Sequence, residues 1–417
     1  MDSDLLVLQE VLSMHCDEVG SLWNARIGLM RDAHVALGDL QRHDERIAAH
    51  LDGVLVAGEA GRETCRQLLD APDTGVLFLL TVRTLEDDPA RMEGLFDLVK
   101  TSNEYRRGLL AGFGWVDRDR LRGVVAALLR SPDPLRRLFG AAACSMHRTD
   151  PGVASRFQDE DAAVRARIFR AAGELGRHEF VSLCARSMAD EDPACQFWAA
   201  WSAVLLGDRQ ASLAKLATLA FVEGPCRTHA FRVALLAAKV DQAHVWLQSH
   251  AADPEQLRVR LRGAGYVGDP RYIPWLIGCM SDDRFARLAG EAFTMITGVD
   301  LSRPPFERQR PDNFESGPSD DPEDDDIAMD EDDSLPWPDQ SKVQVWWNQN
   351  GARFTTGVRH FIGAPPNRTH CIEVLKNGYQ RQRIAAAYHL CLLNPGTPLF
   401  EWRAPAWRQQ RELAQMT

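Results

Sequence analysis

Asp159-Glu160-Asp161-Ala162-Ala163-Val164-Arg165-Ala166-Arg167-Ile168-Phe169-Arg170-Ala171-Ala172-Gly173-Glu174-Leu175-Gly176 is the stretch whose reading decides the fold. Val164, Ile168, Ala171, Ala172 and Leu175 fall on one stripe at helical spacing, so the segment reads as a helix buried along one face and closed by a glycine. Its arginine recurs. Stepping 31 residues from Arg165 meets Gln196, then Arg227 and Arg258, and 29 more meet Arg287; backwards the frame meets Arg136 and Arg106. Gly176, Gly207, Gly268 and Gly298 keep the same step, at separations of 31, 61 and 30. Two markers in register predict an all-α chain of stacked helix–turn–helix modules, an α-solenoid in which each module packs only on its neighbours. Strands are not expected, because period-2 alternation is absent and the apolar runs exceed strand length.

Asp133, Asp161, Asp192, Asp253 and Asp283 stand before successive helices, and three of them precede proline, as an N-cap followed by an N1 proline does. The chain divides on this reading into an N-terminal helical cap over 1–70 and a solenoid over 71–300. An acidic, proline-rich, disordered insertion follows over 301–340, then a C-terminal segment over 341–417 with a final helix pair led by Gln380-Arg381. Trp23, Ile27 and Met30 recur at helical spacing as core of the cap, while Val343–Asn348 and Arg353–Val358 read as a short turn or hairpin.

Charge is local. The net −11 comes from residues 315–333, which hold eleven Asp and Glu and no Lys or Arg. A body near neutrality argues against a general nucleic-acid binder, which needs a basic footprint. The 43 arginines against 5 lysines match the high Ala, Leu and Gly usage of a GC-rich bacterial genome. Nine cysteines without Cys-x-x-Cys spacing read as buried free thiols of a reducing compartment. The first residues lack the basic start of a signal peptide, and no run nears 18 apolar residues, so a cytoplasmic protein is expected.

The arginine-led helix, a Leu-Gly-Asp turn and a second helix at about 31 residues resemble HEAT-like repeats of the short bacterial kind. The chain is similar to a bacterial family of HEAT-repeat proteins whose members tend to be encoded beside type VI secretion genes. The likeness rests on His50-Leu-Asp-Gly53, Met146-His-Arg-Thr-Asp-Pro-Gly152, Phe197-Trp-Ala-Ala-Trp-Ser-Ala-Val-Leu-Leu-Gly-Asp208, Gly290-Glu-Ala-Phe-Thr-Met-Ile-Thr-Gly-Val-Asp-Leu301 and Leu335-Pro-Trp-Pro-Asp339. It covers nearly the whole chain and brings no catalytic residue with it.

The candidates for chemistry are few. His15-Cys16 and His370-Cys371 are adjacent pairs without a partner pair at zinc spacing. The one His-Glu pair, His178-Glu179, falls short of the several that HEAT-repeat di-iron hydroxylases use. Walker A and Gly-x-Ser-x-Gly are both absent. Glu174 and Glu291 sit mid-helix, the latter one turn after Arg287 as an ordinary i,i+4 pair. Trp198 and Trp201 resemble the aromatic clamp of HEAT-like DNA glycosylases but read as core; a desolvated carboxylate in a pocket beside Trp198 is what an enzyme would show. No catalytic, metal or cofactor-binding residue is assigned.

The ladder Arg106, Arg136, Arg165, Gln196, Arg227, Arg258 and Arg287 either lines a groove for an acidic partner or, as its break at Gln196 favours, is the seam between modules. Each guanidinium would pair with the aspartate four residues earlier (Asp133–Arg137, Asp161–Arg165, Asp283–Arg287) or with carbonyls of the next module. The acidic run is either a solvated linker or a tethered polyanion offered to a basic surface. Trp337, Trp346 and Trp347 beyond it are either a partner-anchoring patch or a return onto the last modules. The expected function is a non-catalytic scaffold, adaptor or chaperone. By the resemblance, its partner is a secreted effector or spike component of type VI secretion, with no nucleic acid and no membrane. An immunity protein that masks a toxin, and a HEAT-like enzyme modifying nucleic acid or protein, are the alternatives.

Overall fold

The computed structural model describes residues 8–249, 256–312, 314, 317 and 330–416. Among these residues the chain is all-helical, with 22 α-helices joined by short turns and 3₁₀ segments and no strand. Two isolated bridges, Glu307 with Pro338 and Phe361 with Ala364, are its extended pairings. No described helix is long and apolar enough to cross a membrane.

Contacts divide the chain into two compact units, 1–206 with 396–417, and 207–395. The expected boundaries at 70, 300 and 340 do not coincide with this division. The break falls within the stretch expected to be one solenoid, and the last residues belong with the first. In the first unit the helices Thr74–Asp87, Asn103–Trp115, Pro134–Met146, Ala162–Glu174 and Pro193–Leu205 form a row, each packed on the next. In the second unit Arg227–Ala237, Leu257–Val267 and Asp283–Thr297 do the same.

The apolar stripe explains the row. Val164, Ile168, Ala171 and Ala172 are fully buried, and Phe197, Trp201 and Val204 continue the core on the next helix. Burying each of the larger side chains, Val164, Ile168, Phe197 and Val204, stabilises by about 1.5–3 kcal/mol. Caps fix where the helices start: Asp133, Asp161 and Asp192 accept from Leu135, Val164 and Cys195 amides. The cap before the Asp283–Thr297 helix is Asp282 rather than Asp283, and Asp253 lies outside the described residues. Trp23 and Met30 are buried as expected, whereas Ile27 is exposed.

Gly176, Gly268 and Gly298 end helices with φ of +65°, +70° and +73°, a left-handed conformation that suits glycine. They do a second job. Segments from late in the chain cross these helix ends so closely that a Cβ would collide with their backbone: 396–398 at Gly176, His360 at Gly268 and Ile362 at Gly298. Leu399 N donates to Glu174 O at 2.9 Å, His360 N to Gly268 O at 2.7 Å and Ile362 N to Met295 O at 2.8 Å. These crossings lie within one unit each.

Two expectations near the insertion fail. Val343–Asn348 is not a hairpin but part of the helix Gln340–Asn350, started by Asp339, whose carboxylate accepts from the Lys342 amide. The stretch 301–340 is ordered at both ends. Arg308 N donates to Trp337 O and Asp339 N to Phe306 O, while Leu301, Leu335 and Trp337 are buried. Apolar anchors at each arm offset the ordering cost that the acidic composition alone could not. Residues 315, 316 and 318–329, most of the acidic run, lie outside the described residues.

Candidate functional site

The ladder has a local chemistry that recurs rung by rung in the first unit. Four residues after the N-cap, a side chain reaches back to the carbonyl six residues upstream. Arg137 donates to Ser131 O at 3.1 Å, Arg165 to Asp159 O at 2.9 Å, and Gln196 to Asp190 O at 2.8 Å. Arg106 makes the same reach, with its best bond to Val99 O at 2.9 Å and a longer one to Lys100 O. The guanidinium then continues to the aspartate of the following turn. Arg137 grips Asp159 at 2.9 and 2.8 Å, and Arg165 grips Asp190 at 3.2 and 3.1 Å. Each of these aspartates also accepts from a backbone amide two residues on, so it arrives already aimed.

The pairs are partly desolvated, and the titrations follow. The Arg165 guanidinium holds Asp190 below the usual carboxylate range, and Arg137 does so for Asp159 against the opposing effect of burial. The same hydrogen bonds raise the pKa of Arg137 and Arg165.

Two details differ from expectation. In the first unit the aspartates four residues before the arginines act as helix caps, and the arginines pair forward instead, because a capping carboxylate points at the helix N-terminus; Asp283 is not a cap and pairs with Arg308 rather than Arg287. The rung at the third helix of the row is Arg137, not Arg136. Arg136 turns to Glu93 at 2.9 Å and lies over the Phe96 ring.

In the second unit the rungs change partner. Arg227 donates to Gln256 at 2.9 Å. Arg258 donates to Asp332 at 2.7 Å, and Arg287 pairs with Asp330 at 2.7 Å. The last residues of the acidic run thus stand where the first unit has a turn aspartate. Two arginines outside the ladder join them: Arg262 donates to Glu331 at 2.6 Å, and Arg381 donates to the Glu331 carbonyl at 3.2 Å. Arg381 also makes bonds of 3.0 and 2.9 Å to Glu291, which is therefore not the partner of Arg287. Arg262 lowers the Glu331 pKa. Burial opposes the Arg262 charge, but Glu331 outweighs it and the pKa of Arg262 is raised.

Trp337 is buried, with the Arg287 guanidinium 4.6 Å and the Arg308 guanidinium 5.2 Å from its ring centroid. Phe314 lies 5.1 Å from Arg287 on the same side of the chemistry. Trp346 and Trp347 are half-buried, Trp346 against Phe293 and both near Phe354. The three tryptophans do not form one exposed patch; Trp337 is built into the arginine cluster.

The carboxylate that an enzyme would place beside Trp198 exists. Glu174 accepts from Arg167 at 2.8 Å and Arg170 at 2.6 Å, and Arg170 stacks on Trp198 at 4.5 Å. Burial pushes Glu174 up, but the two guanidiniums outweigh it and bring its pKa down to about 2. It is a counter-ion at neutral pH, not an acid. Trp201 is buried core and Trp198 half-buried.

His15 faces His50 across 2.9 Å, Cys16 faces Cys65, His370 bonds the Phe361 carbonyl, and Cys371 is buried. His178 bonds the Leu206 carbonyl. Among the described residues, no group of three or more His, Cys, Asp or Glu could hold a metal ion.

Fold and site together define an all-helical protein whose helices are laced by arginine–carboxylate bonds. No protein-family profile, curated protein or solved structure matches the chain.

Proposed function

We propose that the chain is an α-solenoid of short HEAT-like modules acting as a non-catalytic protein-binding scaffold, adaptor or chaperone in the cytoplasm. One observation carries this reading. The helices of its rows hold segments from late in the chain three times, through backbone bonds at 399 and at 360–363 and through arginine–carboxylate bonds at 330–332. A surface that docks the backbone and the acidic side chains of a crossing segment has the chemistry a protein partner needs. The resemblance to HEAT-like proteins encoded near type VI secretion genes would make that partner a secreted effector or a spike component.

Pull-down of the full chain with the products of neighbouring genes tests the reading. Recovery of an effector or spike protein with its activity intact supports an adaptor. A toxin bound tightly and silenced would make the chain an immunity protein instead. If none of these products is recovered, the secretion assignment falls.

A further inference from the structure

We propose that Arg258, Arg262, Arg287 and Arg381 form a binding site for an acidic segment of a partner protein, and that the chain's own Asp330–Asp332 fills it until that segment arrives. The proposal rests on the scaffold reading and names the chemistry of the partner.

Three guanidiniums from the helices Leu257–Val267 and Asp283–Thr297 take the carboxylates of three successive acidic residues, and Arg381 of the helix Gln380–Leu393, itself paired with Glu291, donates to the Glu331 carbonyl. Arginine forks suit carboxylates in this way. The occupant lies on a different kind of segment from the aspartates of the first unit, although Asp330, like them, accepts from the amide two residues on, that of Asp332 at 2.9 Å. Asp159 and Asp190 belong to the turns between successive helices of the row, whereas Asp330–Asp332 end a run of eleven carboxylates within 315–333.

The fit is also incomplete. Asp332 is buried, yet its Oδ1 has no hydrogen bond and sits 3.9 Å from Arg262. The Nε of Arg287 is likewise buried without a hydrogen bond. A buried donor and acceptor left unmade are what a better-fitting guest would satisfy. Trp337 and Phe314 against Arg287 add an aromatic wall to the site.

A tethered occupant acts at a high effective concentration, so a free acidic peptide competes poorly with it. Removing the charge of the tether must therefore expose the site. The test uses the full chain with all carboxylates of 315–333 converted to amides (Asp330→Asn, Glu331→Gln, Asp332→Asn and the others likewise). The ligand is a fluorescent peptide copying residues 323–333, followed by anisotropy. Binding at least about tenfold tighter than to the natural chain is expected, lost again when Arg262→Glu and Arg381→Glu are added. Equal affinity for the two chains, or indifference to the arginine reversals, overturns the proposal.

Should circular dichroism show that the amide variant is unfolded, hydrogen exchange on the natural chain decides. Peptide raised above the effective concentration of the tether, to several millimolar, must speed exchange over 330–335; unchanged exchange there overturns the proposal. Because the ligand is synthetic, the result stands apart from whether a cellular partner is ever recovered.

Discussion

A double-mutant cycle on Arg165 and Asp190 measures whether the forward-reaching arginines hold the helix row together. Arg165→Met keeps the aliphatic stem, and Asp190→Asn keeps an acceptor for the Asp192 amide, so the cycle isolates the ionic contact. That contact comprises two bonds of 3.2 and 3.1 Å between side chains 20% and 15% exposed. A charge-assisted bond contributes about 1.5–3 kcal/mol, and these are long for their kind. The expected coupling is about 1–2 kcal/mol. Arg137 with Asp159, at 2.9 and 2.8 Å and 16% and 8% exposed, should couple more strongly, by about 2 kcal/mol. Arg42 with Asp39, 74% and 44% exposed, is the control and should give under about 0.5 kcal/mol. Urea unfolding followed by circular dichroism supplies the free energies. Couplings for the two ladder pairs no larger than the control would refute the seam.

Gly268→Ala should lower the melting temperature, because its φ of +70° disfavours a side chain and the new methyl meets the His360 carbonyl; about 1–3 kcal/mol is expected. Gly28→Ala, in a helix with open space around it, should instead be neutral or stabilising by up to about 1 kcal/mol. Glu174→Ala strands Arg167 and Arg170 and should cost about 3–5 kcal/mol by chemical unfolding; a loss below about 1 kcal/mol would remove the pair from the fold's supports. Acid should weaken the protein from about pH 6.5 downwards. Burial depresses His147 to about 4 and His389 to about 3. Unfolding then takes up protons as pH falls below the unfolded value, and stability is lost until the folded values are passed. At pH 5 each histidine should account for about 2 kcal/mol, and His147→Gln should flatten its share of the slope.

Helix type and stripe were legible because Val164, Ile168 and Ala171 obey a 3.6-residue period that survives into burial. The rung at the third helix was misassigned because Arg136 and Arg137 stand side by side within the tolerance of the step. A sharper signal was present: the rung lies four residues after the N-cap, as Arg106 follows Ser102, Arg137 follows Asp133 and Gln196 follows Asp192. Beyond Gln196 that rule lapses, and the step alone carried the reading to Arg258 and Arg287. Arg381 was legible as the leader of a late helix but not as a partner of Glu331, and Arg262 was not legible at all, since both meet Glu331 only through tertiary packing, 50 and 69 residues away. Composition marked 315–333 as too charged to fold alone, and it hid the fact that arginines elsewhere supply counter-charge to Asp330–Asp332. Gln340–Asn350 escaped because Val343, Trp346 and Trp347 favour strands by propensity, while the Asp339 cap decides the local outcome.

The most direct test of a scaffold that recognises acidic protein segments compares recovery of the cellular partner by the natural chain and by the Arg262→Glu, Arg381→Glu variant. The account predicts a partner bound by the first and lost by the second, with far-UV dichroism of the variant unchanged and the partner's mass unaltered after incubation. Full recovery by the charge-reversed chain, or a partner covalently changed by the natural one, would contradict it.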